Sequence, residues 1–254
     1  MSLGLYAFQT GTTTVPQSFL RDGASRDPVT VPILSVLVVH ERGTVVFDTG
    51  LNPLVRDDLP AYFSAAGLAE IGVDLPRGHS VAERLAELGR APESIDFVVN
   101  SHLHYDHCGG NALLPEAEIL IQRAEWDHAT RVPDTHRGYR QVDFASSRQV
   151  TLLDGRYDVF GDGSVVCVPT HGHTPGHQSL VVRGPGRDVV LCGDACYTKD
   201  NLDGLRMAGI VADRAAALAS LAMLRDLRAA GALVVYGHEP GCWDDLPHAP
   251  RPVF

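Results

Sequence analysis

The chain has 254 residues, 44% hydrophobic and 20% charged, the profile of an ordinary globular protein with a sizeable core in one α/β domain. Its formal net charge of −10, with no basic stripe, argues against nucleic-acid binding but leaves small anions open, because a bound metal brings its own positive charge. No run of 18 apolar residues would span a membrane, MSLGLYAFQTG lacks the regions of a signal peptide, and five cysteines with no CxxC pair read as reduced thiols of a cytoplasmic protein.

VPILSVLVVH (31–40) and TVVFDTG (44–50) read as two buried strands joined by a Glu-Arg-Gly turn. Residues 51–79, rich in Pro and Gly, read as loop or short helix. SVAERLAELG (80–89) is a helix with a Ser80–Glu83 capping box and Gly89 as its stop. SIDFVVN (94–100) is a strand, AEILIQ (117–122) another, and RAEWDHAT (123–130) a short helix. Residues 131–149 are irregular and polar, as a lid or pocket wall would be. VTLLDG, YDVFGDG, SVVCVPT, QSLVVRG and DVVLCGD give five further short strands. ADRAAALASLAMLRDLRAAGA (212–232) is the strongest helix, capped by Asp213 and ended by Gly231, and ALVVYGH (232–238) is the last strand. Both halves run from strands to a helix to a strand with a polar end. The reading is a weak internal duplication: a four-layer αββα sandwich of two mixed sheets in a single domain, 1–254.

SHLHYDHCGG (101–110) follows a buried strand and packs three His and an Asp into six positions. His102 and His104 share a face if extended, while the adjacent Asp106 and His107 point apart, so one loop can serve two neighbouring sites. THGHTPGH (170–177) adds His171, His173 and His177, CGDACY (192–197) adds Asp194, and YGHEP (236–240) adds His238. All lie just past apolar runs, where strands present loops to ligands. Imidazole and carboxylate donors without thiolate suit Zn²⁺, Mn²⁺, Fe²⁺ or Co²⁺. Two ions need about six to eight protein ligands; five His and two Asp are on offer, and Asp194, with two oxygens, can bridge. His171 and His177 read as turn-fixing or ligand-orienting groups, and Asp48 of DTG as a buried hydrogen-bonding partner of a ligand. Cys108 reads as a neighbour of the cluster or a small core residue. His40, His79, His128, His136 and His248 stand alone and read as structural.

HxHxDH at 102–107, HTPGH at 173–177, Asp194 and His238 together resemble the metallo-β-lactamase fold superfamily, over nearly the whole chain. SHLHYDHCGGN, THGHTPGHQSL and DACYTK at 194–199 look like the N-acyl homoserine lactonases, the quorum-quenching lactonases. One departure is His171-Gly172 before His173, where that family more often has Pro-Gly. Lactonases that open other small rings, of the pyridoxolactone type, share much of the pattern. The resemblance implies one metal on His102, His104 and His173, a second on Asp106, His107 and His238, and Asp194 between them, most often zinc. It implies a hydrolase in which a hydroxide shared by the metals attacks a lactone carbonyl. Tyr197, three residues after the bridging aspartate, would polarise that carbonyl, and Asp106 would carry a proton to the leaving alkoxide.

The runner-up is a glyoxalase II-like thioester hydrolase, against which only sixteen residues follow His238. Nucleic-acid phosphodiesterases conflict with the charge, exported β-lactamases lack a bridging Asp, and diiron relatives place a carboxylate at the position of His104. A binding module on this fold would have lost donors, and none is lost. Residues 9–30, 51–79 and 131–149 are expected to shape the pocket, with Phe19, Leu20, Tyr62, Phe63 and Tyr139 offering apolar contacts and Tyr105 at the entrance. The expected partner is a small lactone, with neither nucleic acid nor membrane, and a homodimer through the N-terminal segment is compatible with the sequence.

Overall fold

The computed structural model describes residues 3–63, 71–134, 138–145, 149–242 and 246–254. Its strands are β1 (Gly4–Pro16), β2 (Pro28–His40), β3 (Gly43–Phe47), β4 (Gly72–Asp74), β5 (Phe97–Val99), β6 (Glu118–Gln122), β7 (Val150–Leu153), β8 (Tyr157–Asp158), β9 (Val165–Pro169), β10 (Gln178–Arg183), β11 (Asp188–Leu191) and β12 (Leu233–Val235). They form a seven-stranded sheet, β4-β1-β2-β3-β5-β6-β7, and a five-stranded one, β12-β11-β10-β9-β8. Both are mixed. β1 to β4 pair antiparallel, β3, β5, β6 and β7 run parallel, and β11 and β12 form the single parallel pair of the smaller sheet.

The layers follow from period-two alternation. Val36, Val38, Val45, Phe47, Val99 and Leu120 of the larger sheet meet Val165, Cys167, Leu180, Val182, Val189 and Leu191 of the smaller one in the inner core. Leu37, Val46, Val98, Ile119 and Ile121 point the other way, onto Val81 and Leu85 of the helix Val81–Glu87. Val166, Val181 and Val190 face outward from the smaller sheet onto Leu221 and Leu224 of the helix Arg214–Ala229. The αββα sandwich is as expected. Ser80 and Glu83 form the capping box, Asp213 caps the long helix through the amides of Ala215 and Ala216, and Gly89 turns out of the first helix at φ 68°.

Two expectations need correction, and the N-terminal strand was not anticipated. The N-terminal segment is a 13-residue strand, β1, paired with β2 along its length and with β4 over Thr12–Thr14. Its polar residues are satisfied inside the sheet: Thr10 Oγ1 lies 3.1 Å from Ser35 Oγ, and Thr13 Oγ1 donates to Gly72 O at 3.1 Å. VTLLDG belongs with the first half, as β7 beside β6, so the strands divide seven to five between the sheets. Residues 51–79 hold β4 as well as two short helices, Leu54–Asp57 and Leu59–Tyr62.

Candidate metal centre

The C-terminal ends of β3, β5, β9, β11 and β12 meet at one edge of the sandwich, where Gln178 N donates to Ser101 O at 2.9 Å between the sheets. The loop after β5 supplies His102 and His104, and a single helical turn, Tyr105–Cys108, carries Asp106 and His107. The smaller sheet supplies His173 after β9, Asp194 after β11 and His238 after β12. All seven donors are buried.

They gather as two groups, His102, His104, His173 and Asp194, and Asp106, His107 and His238; within each, one donor atom per residue lies within 4.8 Å of the others. Asp194 joins the groups. Its Oδ1 is 3.2 Å from both His107 Nε2 and His238 Nε2, and its Oδ2 is 3.3 Å from His173 Nε2 and 3.8 Å from His102 Nε2. Asp106 Oδ2 lies 3.7 Å from His107 Nε2 and 3.6 Å from His238 Nε2, and His104 Nδ1 lies 3.1 Å from His173 Nε2.

The outer nitrogens fix which atoms point inward. His238 Nδ1 donates to Pro32 O at 2.8 Å, and His173 Nδ1 faces Ile210 O at 3.2 Å. A carbonyl only accepts, so the proton is on Nδ1 and the Nε2 lone pair faces the centre. His107 Nδ1 donates to Asp48 Oδ2 at 2.8 Å. Ser101 Oγ also donates to that oxygen, and so accepts from His102 Nδ1 at 2.9 Å. Asp48 sits at φ 54°, a left-handed conformation that Asp tolerates better than most residues, and also takes the Ser101 amide at 2.7 Å. His102 Nε2, His107 Nε2 and Asp194 Oδ1 remain buried and outside any hydrogen-bonding geometry. Donor atoms converging in this way are costly to bury unless shared protons or a cation lie between them, and a cation satisfies them all. The donor set fits divalent metal.

Burial holds His102 and His104 well below the ordinary histidine pKa, which keeps them neutral and able to ligate. Burial opposes ionisation of Asp194 too, but His107, His238 and His173 outweigh it and hold the carboxyl well below its ordinary value. Burial, then Asp194 and Asp106, push the Tyr197 hydroxyl well up, so it stays protonated. Tyr197 Oη lies 3.2 Å from His173 Nδ1.

His177 stands outside both donor groups. Its Nε2 accepts the Asp194 amide at 3.0 Å, and its Nδ1 lies 2.9 Å from Thr170 Oγ1. His171 stays outside the cluster, its carbonyl taking the Ser220 hydroxyl at 2.7 Å. Cys108 belongs to the outer core. His40 stacks on Phe160 with Nε2 3.1 Å from Asp162 Oδ2, and His79 contacts Arg84. His128 lies against the Tyr139 ring, and His248 Nδ1 is 2.8 Å from the Ala249 carbonyl. His136 lies outside the described residues. Sequence reasoning missed Glu125, a fully buried carboxylate behind His102, His104 and His173.

A cavity of about 630 Å³ opens over the cluster. His104, Asp106, His173, Asp194, Tyr197 and His238 form its floor, and Val15, Phe19, Leu20, Val31, Ile71, Ile210 and Val211 its apolar wall, with Thr13 and Tyr105 between. Phe19, Leu20 and Tyr105 are where they were expected. Tyr62, Phe63 and Tyr139 are not among the lining residues. Tyr62 donates to buried Asp143, Tyr139 donates to Glu125 at 2.9 Å, and Phe63 packs edge-on against Tyr105.

The model of the Metallo-beta-lactamase superfamily matches residues 29–238. The N-acyl homoserine lactonase AttM of Rhizobium radiobacter is 32% identical over 259 residues, covering 97% of each chain. AttM of Azorhizobium caulinodans is 33% identical over 230 residues, 87% of this chain and 86% of that one. A solved N-acyl homoserine lactone hydrolase, with N-hexanoyl-L-homoserine at its catalytic metal centre, superposes with a TM-score of 0.88 at 24% identity, covering 99% of this chain and 100% of that one. That likeness is one of fold.

Proposed function

The chain belongs to the metallo-β-lactamase superfamily, and from that premise we propose that it is a metal-dependent hydrolase opening N-acyl homoserine lactones or related small lactones. His102, His104 and His173 would hold one divalent ion, Asp106, His107 and His238 a second, with Asp194 shared by the two groups. Zinc suits these donors best, with Mn, Fe and Co compatible. The observation that carries the reading is the division of the Asp194 oxygens between two donor groups, beneath an apolar cavity that also holds Tyr197. The AttM relatives, matched over almost their full length, point to lactones as the substrate.

When bound, the ions supply Lewis acidity and bring the pKa of water toward about 7. The chain's own residues do the rest. His173 Nδ1 donates toward Ile210 O, so Tyr197 keeps its own proton for the lactone carbonyl oxygen as negative charge grows there. Asp106, at the cavity floor, takes a proton from the water that adds to the lactone carbonyl and passes it to the ring oxygen as the ester C–O bond breaks, leaving a hydroxy acid. The apolar wall takes an acyl chain. Cys108, Cys167, Cys192 and Cys196 are buried thiols, which supports a reducing, cytoplasmic setting; among the described residues no helix is long and apolar enough to cross a membrane.

The test is hydrolysis by metal-replete protein of short- and long-chain acyl homoserine lactones, a plain γ-lactone, a thioester and a bis-aryl phosphodiester. Opening of the acyl homoserine lactones well ahead of the rest is expected. Turnover of the thioester or phosphodiester with none of the lactones overturns the assignment and leaves the donor cluster standing.

A further inference from the structure

We infer that Glu125 is a positioning residue for the first ion, a single buried carboxylate that sets the spacing of the two loops bearing His102, His104 and His173; this rests on the metal assignment proposed above. Glu125 stands on the helix Arg123–Ala129 with no solvent exposure. Its Oε1 accepts the Leu103 amide at 3.1 Å and the Tyr139 hydroxyl at 2.9 Å, and its Oε2 accepts the Gly176 amide at 3.1 Å. Leu103 lies between His102 and His104, and Gly176 is three residues past His173. Tyr139 presents its ring edge-on to His104 at a centroid separation of 4.7 Å. The second loop is pressed tightly against the helix: a Cβ on Gly176 would fall 2.0 Å from Glu125 N. No Lys or Arg pairs with this carboxylate among the described residues. Three donors from three segments take up its charge instead, so removing it leaves buried donors without acceptors on both loops at once. The second group of donors is braced elsewhere, His107 by Asp48 and His238 by Pro32 O. The effect of Glu125 therefore falls on one ion of the two.

The experiment is stepwise zinc affinity by chelator competition, with zinc per folded chain and the visible spectrum of the Co(II)-loaded form as further readouts, on wild type, Glu125→Gln and Tyr139→Phe. In Glu125→Gln the amide oxygen can satisfy Leu103 and Tyr139 only by turning its NH₂ onto the Gly176 amide. Loss of a partner that orients the ligands weakens metal binding about 10–100-fold. That loss is expected for one ion while the second stays at wild-type affinity, with only the matching part of the Co(II) spectrum changed. Tyr139→Phe, which keeps the ring on His104, should weaken the same ion by less. Both ions held at wild-type affinity in folded Glu125→Gln overturn the inference, even if melting temperature or turnover falls. If that variant does not fold, unchanged affinities in Tyr139→Phe overturn it. A wild type binding fewer than two ions overturns the metal assignment itself, before any variant is made.

Discussion

The floor and the wall of the cavity are built in opposite ways. On the floor the metal-facing residues are held from behind by hydrogen bonds: His238 by Pro32 O, His173 by Ile210 O and Asp194 through its own amide by His177, with His107 beneath them held by Asp48. The wall comes from short pieces far apart in sequence, Val15, Phe19 and Leu20, then Val31, Ile71, and Ile210–Val211. Hydrogen bonds to their main chain, such as Gly209 N to Phe19 O at 3.1 Å and the side-chain amide Asn201 Nδ2 to Leu20 O at 2.9 Å, hold those pieces in place, while their apolar side chains touch only by packing. A floor of this kind admits one arrangement, so changes there act on the reaction. A wall of this kind deforms gradually, so changes there act on preference.

The sharpest break between the two is Asp194→Ala, or chelation of wild type. Either should empty at least one ion site and lower lactone turnover by more than about 10³-fold, since the ions supply several kcal/mol of charge stabilisation; a full metal complement in the variant would refute the bridging role. Tyr197→Phe should lower kcat about 10²–10³-fold, the usual loss for an oxyanion donor, with both ions retained; metal analysis beside kinetics separates this from a collapsed site. Asp48→Asn, which leaves His107 Nδ1 with a weaker partner, should cost about 10–100-fold in affinity for one ion, read by chelator competition. On the wall, Ile71→Ala should change the ratio of kcat/KM between long and short acyl chains by about 10-fold, the worth of roughly a methylene or two in an apolar pocket, and leave metal content alone.

The smallest effect on turnover belongs to Asp143, behind the wall. Burial raises its pKa to about 6, against hydrogen bonds from Tyr62 and Asn52 that favour the charged form. The folded state therefore holds this proton more tightly than the unfolded chain does. That contribution to stability is complete at about pH 4 or below and is lost as pH rises through about 6. Asp143→Asn cannot titrate, so its stability relative to wild type should climb from pH 4 to pH 7 in chelated protein followed by urea unfolding. A constant difference across that range would place the native pKa of Asp143 at its ordinary value.

The floor was legible because its donors are concentrated. Three His and an Asp within His102–His107 have no role in a core, and the others sit singly at strand ends, so residue type and position agreed. The wall was not. β1 reads GLYAFQTGTTTVP, whose Thr residues blur the alternation that marks a strand; their hydroxyls find partners distant in sequence, Ser35 for Thr10, Gly72 for Thr13 and Thr30 for Thr14. Tyr62 and Tyr139 looked like ligand contacts because they are large and lie in loop-like stretches, yet buried carboxylates claim their hydroxyls. Glu125, in the first turn of a helix, looks like an acid complementing the helix dipole at the surface. Only the return of two loops to its oxygens gives it another meaning.

The donors arise from both layers: His102, His104, Asp106 and His107 follow a strand of the larger sheet, while His173, Asp194 and His238 follow strands of the smaller. Ions held there, as proposed, would act as rivets through the sandwich, with a binding energy available only to the chain whose sheets are already stacked. Separating the sheets then requires releasing the ions. The loaded protein should therefore resist heat or denaturant for longer than the chelated one, which unfolding rates measured with and without chelator would show.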